Sequence, residues 1–154
     1  MRWAYSRNTS PSSVSDRLWV VRCASNKSHW ASIRAKCLDT WLAATCLPRA
    51  VHNALVATFN VPQADRFQAI HRHSPEELVC TPEFLGIQHA GHVVFVQISC
   101  SPGRTLDMKK ALYAKIATDI AAASSFKFED VIINLLETSR ENWSFGLGVA
   151  QYAL

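Results

Sequence analysis

The sequence predicts an α/β domain, and the segment from residue 92 to residue 137 carries that prediction. Residues 92–100 form a near-continuous apolar run, which is typical of a strand buried on both faces. Residues 105–123 place apolar side chains at helical spacing, and residues 130–137 repeat the buried-strand pattern. A strand, a helix and a second strand in this order predict a βαβ unit with parallel strands and a right-handed crossover.

Length and composition predict a single globular domain. The chain has 154 residues, of which 49% are hydrophobic and 18% charged, and this excludes a disordered protein. It contains no run of 18 apolar residues, so we predict no membrane-spanning helix and no membrane partner. Five cysteines, an odd number without a C-x-x-C pair, argue against a disulfide scaffold and a structural zinc site. We therefore expect a cytoplasmic protein.

Charge and aromatic content change near residue 47. Residues 1–50 carry eight basic and two acidic side chains, whereas residues 51–154 carry eight basic and ten acidic ones. Four of the five tryptophans also lie within the first 41 residues. We expect a basic, Ser/Arg/Trp-rich leader over residues 1–47 and the folded domain over 48–154. Nucleic-acid binding by this leader is a weaker interpretation than a solvated or disordered segment, since its basic residues form no stripe.

Ahead of the βαβ unit, the pattern predicts one helix and one strand. Pro48 either starts or interrupts a helix, and paired apolar residues then repeat at helical spacing until Asn60. Residues 66–73 alternate weakly and predict a short strand. Residues 74–91 are interrupted by prolines and glycines and predict a loop with little regular structure.

The elements of the βαβ unit have clear boundaries. Strands are expected over residues 93–99 and 131–137. Thr105 can cap the helix between them, with Asp107 in its first turn. One helix face is predicted to be buried, and it comprises Met108, Leu112, Ile116 and Ile120.

The motifs of several common enzyme classes are absent from the sequence. There is no Walker loop, G-x-G-x-x-G, G-x-S-x-G or H-E-x-x-H. The pairs His71/His73 and His89/His92 have spacings that could bind a metal, but neither has a third ligand at regular spacing. Exposed loop histidines are the favoured interpretation. We therefore predict no metal site and no cofactor.

Arg104 and Asp65 are the candidates for chemistry. Arg104 follows a buried strand and precedes a helix, where open α/β sheets place ligand groups, and its guanidinium could bind a carboxylate bidentately. A surface pair with Asp107 explains it equally well. Asp65 lies in a turn before a strand, where it could act as a general acid or base, or simply cap the turn. Composition and spacing leave these alternatives open.

Several segments between residues 50 and 152 closely resemble the tautomerase superfamily. The nearest resemblance is to its longer-chain members, such as malonate semialdehyde decarboxylase and cis-3-chloroacrylic acid dehalogenase. The segments include His52-Asn-Ala-Leu55, Phe59-Asn-Val-Pro62, Asp65-Arg-Phe-Gln68, Val94-Phe-Val-Gln-Ile98 and Asn142-Trp-Ser-Phe-Gly146.

The resemblance implies both a fold and a function. The fold is a pair of tandem β-α-β units assembling as a homotrimer. The function is isomerisation, decarboxylation or hydration of a small keto or enol carboxylate without a cofactor. An amino-terminal proline is the acid–base group of such enzymes. By the same resemblance, Arg104 would bind the substrate carboxylate, Asp65 would assist proton transfer or water, and Trp143 and Phe145 would form an apolar wall.

Two positions depart from the family pattern. Decarboxylase-like members carry an R-x-R arrangement after the central strand, whereas here only Arg104 is kept. Counting back from Asp65 places the catalytic proline near His29, and no proline stands there. His29 itself is the candidate substitute, because imidazole titrates near pH 6.5. The opening strand and the front half of the first helix are not recognisable in residues 29–47. We therefore expect a mis-started or out-of-frame leader and impaired activity, with a catalytically silent oligomeric protein as the alternative.

Overall fold

The structure, a computed structural model, describes residues 18–24, 40–74 and 76–153. Its central feature is a mixed four-stranded sheet with strand order β2-β1-β5-β6, accompanied by a separate two-stranded hairpin. The elements are β1 (Leu18–Ala24), α1 (Thr40–Phe59), β2 (Gln68–His73), β3 (Glu83–Phe84), β4 (Ile87–Gln88), β5 (Val93–Cys100), α2 (Leu106–Ala123) and β6 (Val131–Glu137).

The sheet is built from two β-α-β units. Strand β1 pairs in parallel with β2 across α1, and β5 pairs in parallel with β6 across α2. The two units meet where β1 and β5 run antiparallel at the centre of the sheet. The predicted α/β class, the parallel pair of strands and the tandem arrangement implied by the resemblance are confirmed.

Both helices take part in one hydrophobic core on one face of the sheet. Alternate residues of β5 (Val94, Val96, Ile98 and Cys100) are at most 1% exposed and belong to this core. From α2 it includes the predicted stripe, with Leu112, Ile116 and Ile120 fully buried and Met108 packed against the cluster. Burying each of these larger aliphatic side chains stabilises the fold by roughly 1.5–3 kcal/mol.

The other face of the sheet is only half covered by the described residues. The alternate positions of β5 and β6 point there because strand side chains alternate between faces. We call this surface the open face, and define it by Phe95, Gln97, Ser99, Ile132, Asn134 and Leu136, which are half-buried or exposed. Leu136 is 41% exposed, and the Gln97 amide donates to Asn134 Oδ1 at 3.5 Å.

Helix α1 begins earlier than the sequence predicts. It starts at Thr40 and contains Pro48, so the front part of the helix lies within the stretch expected to be a leader. Proline removes one helical hydrogen bond and usually breaks a helix, which is why the sequence left open whether Pro48 starts or interrupts the helix. The structure shows that the helix continues through Pro48. Here the Gln68 side-chain amide donates to Pro48 O at 2.8 Å and joins β2 to the helix at this residue.

Strand β1 also lies before residue 47 and occupies the middle of the sheet. The opening strand of the first β-α-β unit is therefore present at Leu18–Ala24. A leader over residues 1–47 stays a prediction, with the correction that two of its segments carry regular secondary structure. The strand is apolar apart from Arg22, but the stretch around it is rich in serine and basic residues, and that surrounding composition predicted a leader rather than a strand.

The segment between β2 and β5 contains more regular structure than predicted. Residues Glu83–Phe84 and Ile87–Gln88 pair as a short hairpin. Its two turn residues, Leu85 and Gly86, have φ angles of 52° and 77°. Positive φ at both central residues is characteristic of a tight hairpin turn, and the glycine adopts it without steric cost.

Candidate active site

The termini of all four strands lie side by side along one side of the sheet, and this side borders the candidate site. Leu18 at the start of β1 pairs with Ser99 near the end of β5, Trp19 pairs with Gln68 at the start of β2, and Cys100 pairs with Glu137 at the end of β6. We call this the site edge. The segments carrying Asp65, Arg104, Trp143 and Phe145 all adjoin it.

Arg104 is held in a defined orientation between β5 and α2. Its Nη1 donates to Ser101 O at 3.0 Å, and its guanidinium carbon lies 5.1 Å from the ring centroid of Phe59. Phe59 is the last residue of α1 and is 4% exposed. A guanidinium over an aromatic face gains electrostatic stabilisation, and the planar group suits bidentate binding of a carboxylate.

Asp65 occupies the turn that joins α1 to β2. Its backbone amide donates to Pro62 O at 2.9 Å, which closes the turn, and the residue is only 9% exposed. Val61, at the start of this connection, is 2% exposed and belongs to the core. The aspartate is thus presented from a fixed turn, and its carboxylate has little access to bulk water.

Trp143 and Phe145 form a stacked aromatic pair beyond the end of β6. Their rings are 5.4 Å apart at an interplanar angle of 4°. The Trp143 indole Nε1 donates to Thr138 Oγ1 at 2.7 Å, and Thr138 N donates to Cys100 O at 2.9 Å. These two bonds connect the predicted apolar wall to the end of β5.

Three further residues complete the wall and were not predicted. Phe67 lies 6.2 Å from Phe145, and Tyr152 meets the same ring edge-on at 5.4 Å. Gln151 accepts a hydrogen bond from Phe145 N at 3.0 Å and donates to Gly146 O at 2.7 Å. The position of Phe67 two residues after Asp65 could have indicated its role, whereas the contacts of residues 151 and 152 depend on a tertiary fold-back.

A lysine–glutamate pair lies beside the site edge. Lys109 Nζ is 2.6 Å from Glu137 Oε1, and this hydrogen bond with Glu137 raises the pKa of Lys109. The ammonium therefore stays charged at neutral pH. Sequence reasoning missed the pair because it joins the second turn of α2 to the end of β6.

His29, the predicted substitute for the missing proline, lies outside the described residues. In chain order it follows β1, whereas the site edge includes the start of β1 at Leu18. Of the other histidines, His71 and His73 are on β2 rather than in a loop and stack at 6.4 Å. The predicted exposure is wrong for His73, His89 and His92, which are half-buried. Nε2 of His92 lies 3.9 Å from Asp130 Oδ2.

Across residues 18–24, 40–74 and 76–153 no group of three or more His, Cys, Asp or Glu side chains is arranged to hold a metal ion. In the same part of the chain, neither helix combines the length and apolarity needed to cross a membrane.

Comparison with known proteins finds both similar sequences and similar structures. A family model described as "Tautomerase enzyme" matches residues 65–146. The "Probable tautomerase YusQ" of Bacillus subtilis (strain 168) is 34% identical over 113 residues, covering 73% of this chain and 87% of that protein. The "Probable tautomerase YrdN" of the same organism is 31% identical over 101 residues, covering 66% and 78%.

Among solved structures, the FG41 malonate semialdehyde decarboxylase inhibited by 3-bromopropiolate superposes with a TM-score of 0.73 at 29% identity. The match covers 88% of this chain and 94% of that one. A fused 4-OT wild-type symmetric trimer matches with a TM-score of 0.65 at 20% identity, covering 88% and 98%, which shows a common fold.

Proposed function

Because the chain belongs to the tautomerase superfamily, we propose that it acts on small keto or enol carboxylates by proton transfer, without a cofactor. The observation that carries this proposal is the grouping at one sheet edge of a fixed arginine, a nearly buried aspartate and a stacked aromatic pair. Substrate binding, acid–base chemistry and exclusion of water are the three tasks that such a reaction requires.

Each group has a separate role in the proposed reaction. Arg104 binds the substrate carboxylate through its guanidinium fork, which orients the reacting carbon. Trp143 and Phe145 cover the apolar part of the substrate and lower the local dielectric. Asp65 assists proton transfer directly or through a water molecule.

The principal acid–base group of the family, an amino-terminal proline, has no evident equivalent in these 154 residues. Pro11 and Pro48 are internal, so their nitrogens are amides without a basic lone pair. General acid–base assistance is typically worth about 10²–10⁴-fold in rate. We therefore propose weak activity for the chain as given. Imidazole titrates near pH 6.5, so His29 would serve as a substitute base only if the chain brought it back to the start of β1 at Leu18.

Isomerisation is favoured over decarboxylation. The segment Ser101-Pro-Gly-Arg104 supplies one arginine after the central strand, where the decarboxylase-like pattern has two. A single guanidinium is sufficient to hold one carboxylate, whereas a second cation would help to stabilise charge that develops elsewhere in the substrate.

We also propose a homotrimer located in the cytoplasm. Support for the trimer comes from the half-covered open face and from fold neighbours that are themselves trimers. Support for the location comes from the odd cysteine count without paired spacing.

The second candidate is a catalytically silent oligomeric protein with the same fold, and it is favoured because no proline of these 154 residues matches the family's catalytic position. Ketonisation of phenylpyruvate enol or of a 2-hydroxymuconate-type enol, followed by ultraviolet absorbance, separates the two. We expect a low rate above the buffer background that falls further, about tenfold or more, in Arg104→Gln and in Asp65→Asn.

Arg49→Gln serves as the control, because it removes an exposed guanidinium on α1 that has no role in the proposed reaction. This variant should retain the full wild-type rate. A wild-type rate equal to buffer, or a rate unchanged in both site variants, would support the silent protein.

A further inference from the structure

His52 is a buried polar residue for which the proposed reaction has no direct use. It lies in α1, is 2% exposed, and its Nε2 is 3.0 Å from the carbonyl oxygen of Gln63. A carbonyl only accepts, so Nε2 carries the proton and donates. Nδ1 is buried and has no hydrogen-bond partner within the described residues.

The unpaired, buried Nδ1 of His52 lowers the stability of the fold. The hydrogen bond from Nε2 to Gln63 O therefore needs an explanation. Leaving a buried acceptor unsatisfied typically costs about 1–3 kcal/mol. The neighbouring helical positions, Val51, Ala54 and Leu55, are fully buried aliphatic residues. An aliphatic residue at position 52 would avoid the unsatisfied nitrogen, but it would lose the bond to Gln63.

The acceptor, Gln63, belongs to the turn that carries Asp65. This turn runs from Pro62 to Asp65 and is closed by the bond from Asp65 N to Pro62 O at 2.9 Å. Val61 anchors its first end in the core, and β2 begins three residues beyond Asp65. The imidazole thus ties the middle of the turn to α1.

Thr58 provides an internal comparison. Its hydroxyl donates to Ala54 O at 2.8 Å, so this side-chain bond begins and ends on α1. The bond from His52, by contrast, spans eleven positions and leaves the helix for the turn.

We propose that His52 is a positioning residue that holds the Asp65 turn in register with the site edge. This proposal rests on the proposed function, in which Asp65 assists proton transfer. Misplacing a reacting group by about 1 Å can cost about 10²-fold in rate. Because Asp65 is only 9% exposed, its carboxylate can reach a substrate from only a narrow range of positions.

The first experiment compares four variants in the enol ketonisation assay. His52→Leu and His52→Asn remove the donor to Gln63, and we expect kcat to fall about tenfold or more while KM stays within about twofold. His52→Gln places an amide nitrogen at a similar distance from Cβ and should restore kcat to within about threefold of wild type. Thr58→Val is the matched control, because it also removes one side-chain bond to a backbone carbonyl, and it should leave kcat unchanged.

A double variant separates positioning from a general loss of structure. If His52 acts through Asp65, adding His52→Leu to an Asp65→Asn chain should change kcat by less than about twofold. A full, multiplicative loss in the double variant would overturn the proposal. Equal losses in His52→Gln and His52→Leu would also overturn it.

The second experiment does not depend on activity. Hydrogen exchange at the Asp65 amide reports the turn directly, and we expect about tenfold faster exchange in His52→Leu and His52→Asn but not in His52→Gln or Thr58→Val. Unchanged exchange in the first two variants would overturn the positioning role. An inactive wild-type chain that gives the expected exchange pattern would overturn the proposed function alone. Should His52→Leu fail to fold, His52→Asn gives the same comparison.

Discussion

At the scale of single residues, Arg104 is oriented by two contacts of its guanidinium group. Its planar guanidinium lies over Phe59 and donates to Ser101 O. A lysine keeps the charge but presents a compact ammonium without the planar fork. We expect Arg104→Lys to raise KM for an enol carboxylate about tenfold or more, with a smaller change in kcat.

Steady-state kinetics over a range of substrate concentrations test this expectation, and Arg49→Lys is the matched control for an exposed arginine on α1. Equal KM values for wild type and Arg104→Lys would show that the guanidinium fork does not bind the carboxylate.

Lys109 gives a prediction about pH and stability. Its hydrogen bond with Glu137 raises the pKa of Lys109 above the ordinary value of 10.5. A raised pKa in the folded state means that the pair stabilises the fold fully below pH 10.5 and ceases to do so as the pH rises through the folded-state pKa. Lys109→Gln should therefore be less stable than wild type at pH 8, and the difference should shrink above pH 10.5.

Urea unfolding of both chains at pH 8, 9.5 and 11 measures this difference. Lys110→Gln is the control, since Lys110 is an exposed neighbour on the same helix. A stability difference that stays constant across this range would contradict the assigned ion pair.

The site residues show what a short motif can and cannot predict. Asp65 and Arg104 were found because each lies next to the end of a strand in a recognisable local pattern. Tyr152 and Gln151 were not found, because their contacts with Phe145 arise when the chain folds back after β6. Sequence spacing contains no information about such a contact unless the tertiary path is known.

At the scale of elements, α2 is the helix that the sequence predicted best, and its start gives a direct test. Thr105 Oγ1 accepts a hydrogen bond from Met108 N at 3.2 Å, so it caps the first turn as expected. Thr105→Ala leaves this amide without its cap and should lower the free energy of unfolding by about 1 kcal/mol, within a range of about 0.5–2.

Chemical denaturation measures the loss, and Thr118→Ala on the exposed side of α2 is the control. The control should be neutral or slightly stabilising because alanine favours helix more than threonine does. Equal stabilities for wild type and Thr105→Ala would mean that water can replace the Thr105 hydroxyl as the acceptor for Met108 N without lowering the free energy of unfolding.

The first β-α-β unit was only partly predictable, for two physical reasons. Pro48 lacks an amide hydrogen, so a local pattern treats it as a helix boundary, whereas packing carries α1 through it. Strand β1 is stabilised by pairing with β2 and β5, and those partners lie 40 or more positions away in the chain. Local propensity cannot detect a strand whose stability comes from its neighbours in the sheet.

At the scale of the whole molecule, we expect the open face to contact neighbouring subunits. Phe95, Ile132 and Leu136 lie on it, and Leu136 is 41% exposed, beside the amide pair of Gln97 and Asn134. A sheet face with this mixture of apolar and amide groups is better suited to protein contact than to water. We expect the 154-residue chain to form a trimer, with a mass in solution three times its 17.2 kDa.

Leu136→Asp tests whether the open face holds the subunits together. In a trimer it would place three carboxylates in or near one interface, where burial of an unpaired charge is strongly unfavourable. Light scattering coupled to size exclusion should then report a monomer, whereas Leu147→Asp, at a residue that is 98% exposed, should leave the trimer intact. A stable trimer in both variants would mean that the subunits meet through another surface, and a monomeric wild type would mean that the open face is solvated.

If the site edge depends on a neighbouring subunit, Leu136→Asp should also lose ketonisation activity in proportion to the fraction dissociated. A monomer with the full wild-type rate would show that each chain forms its site alone.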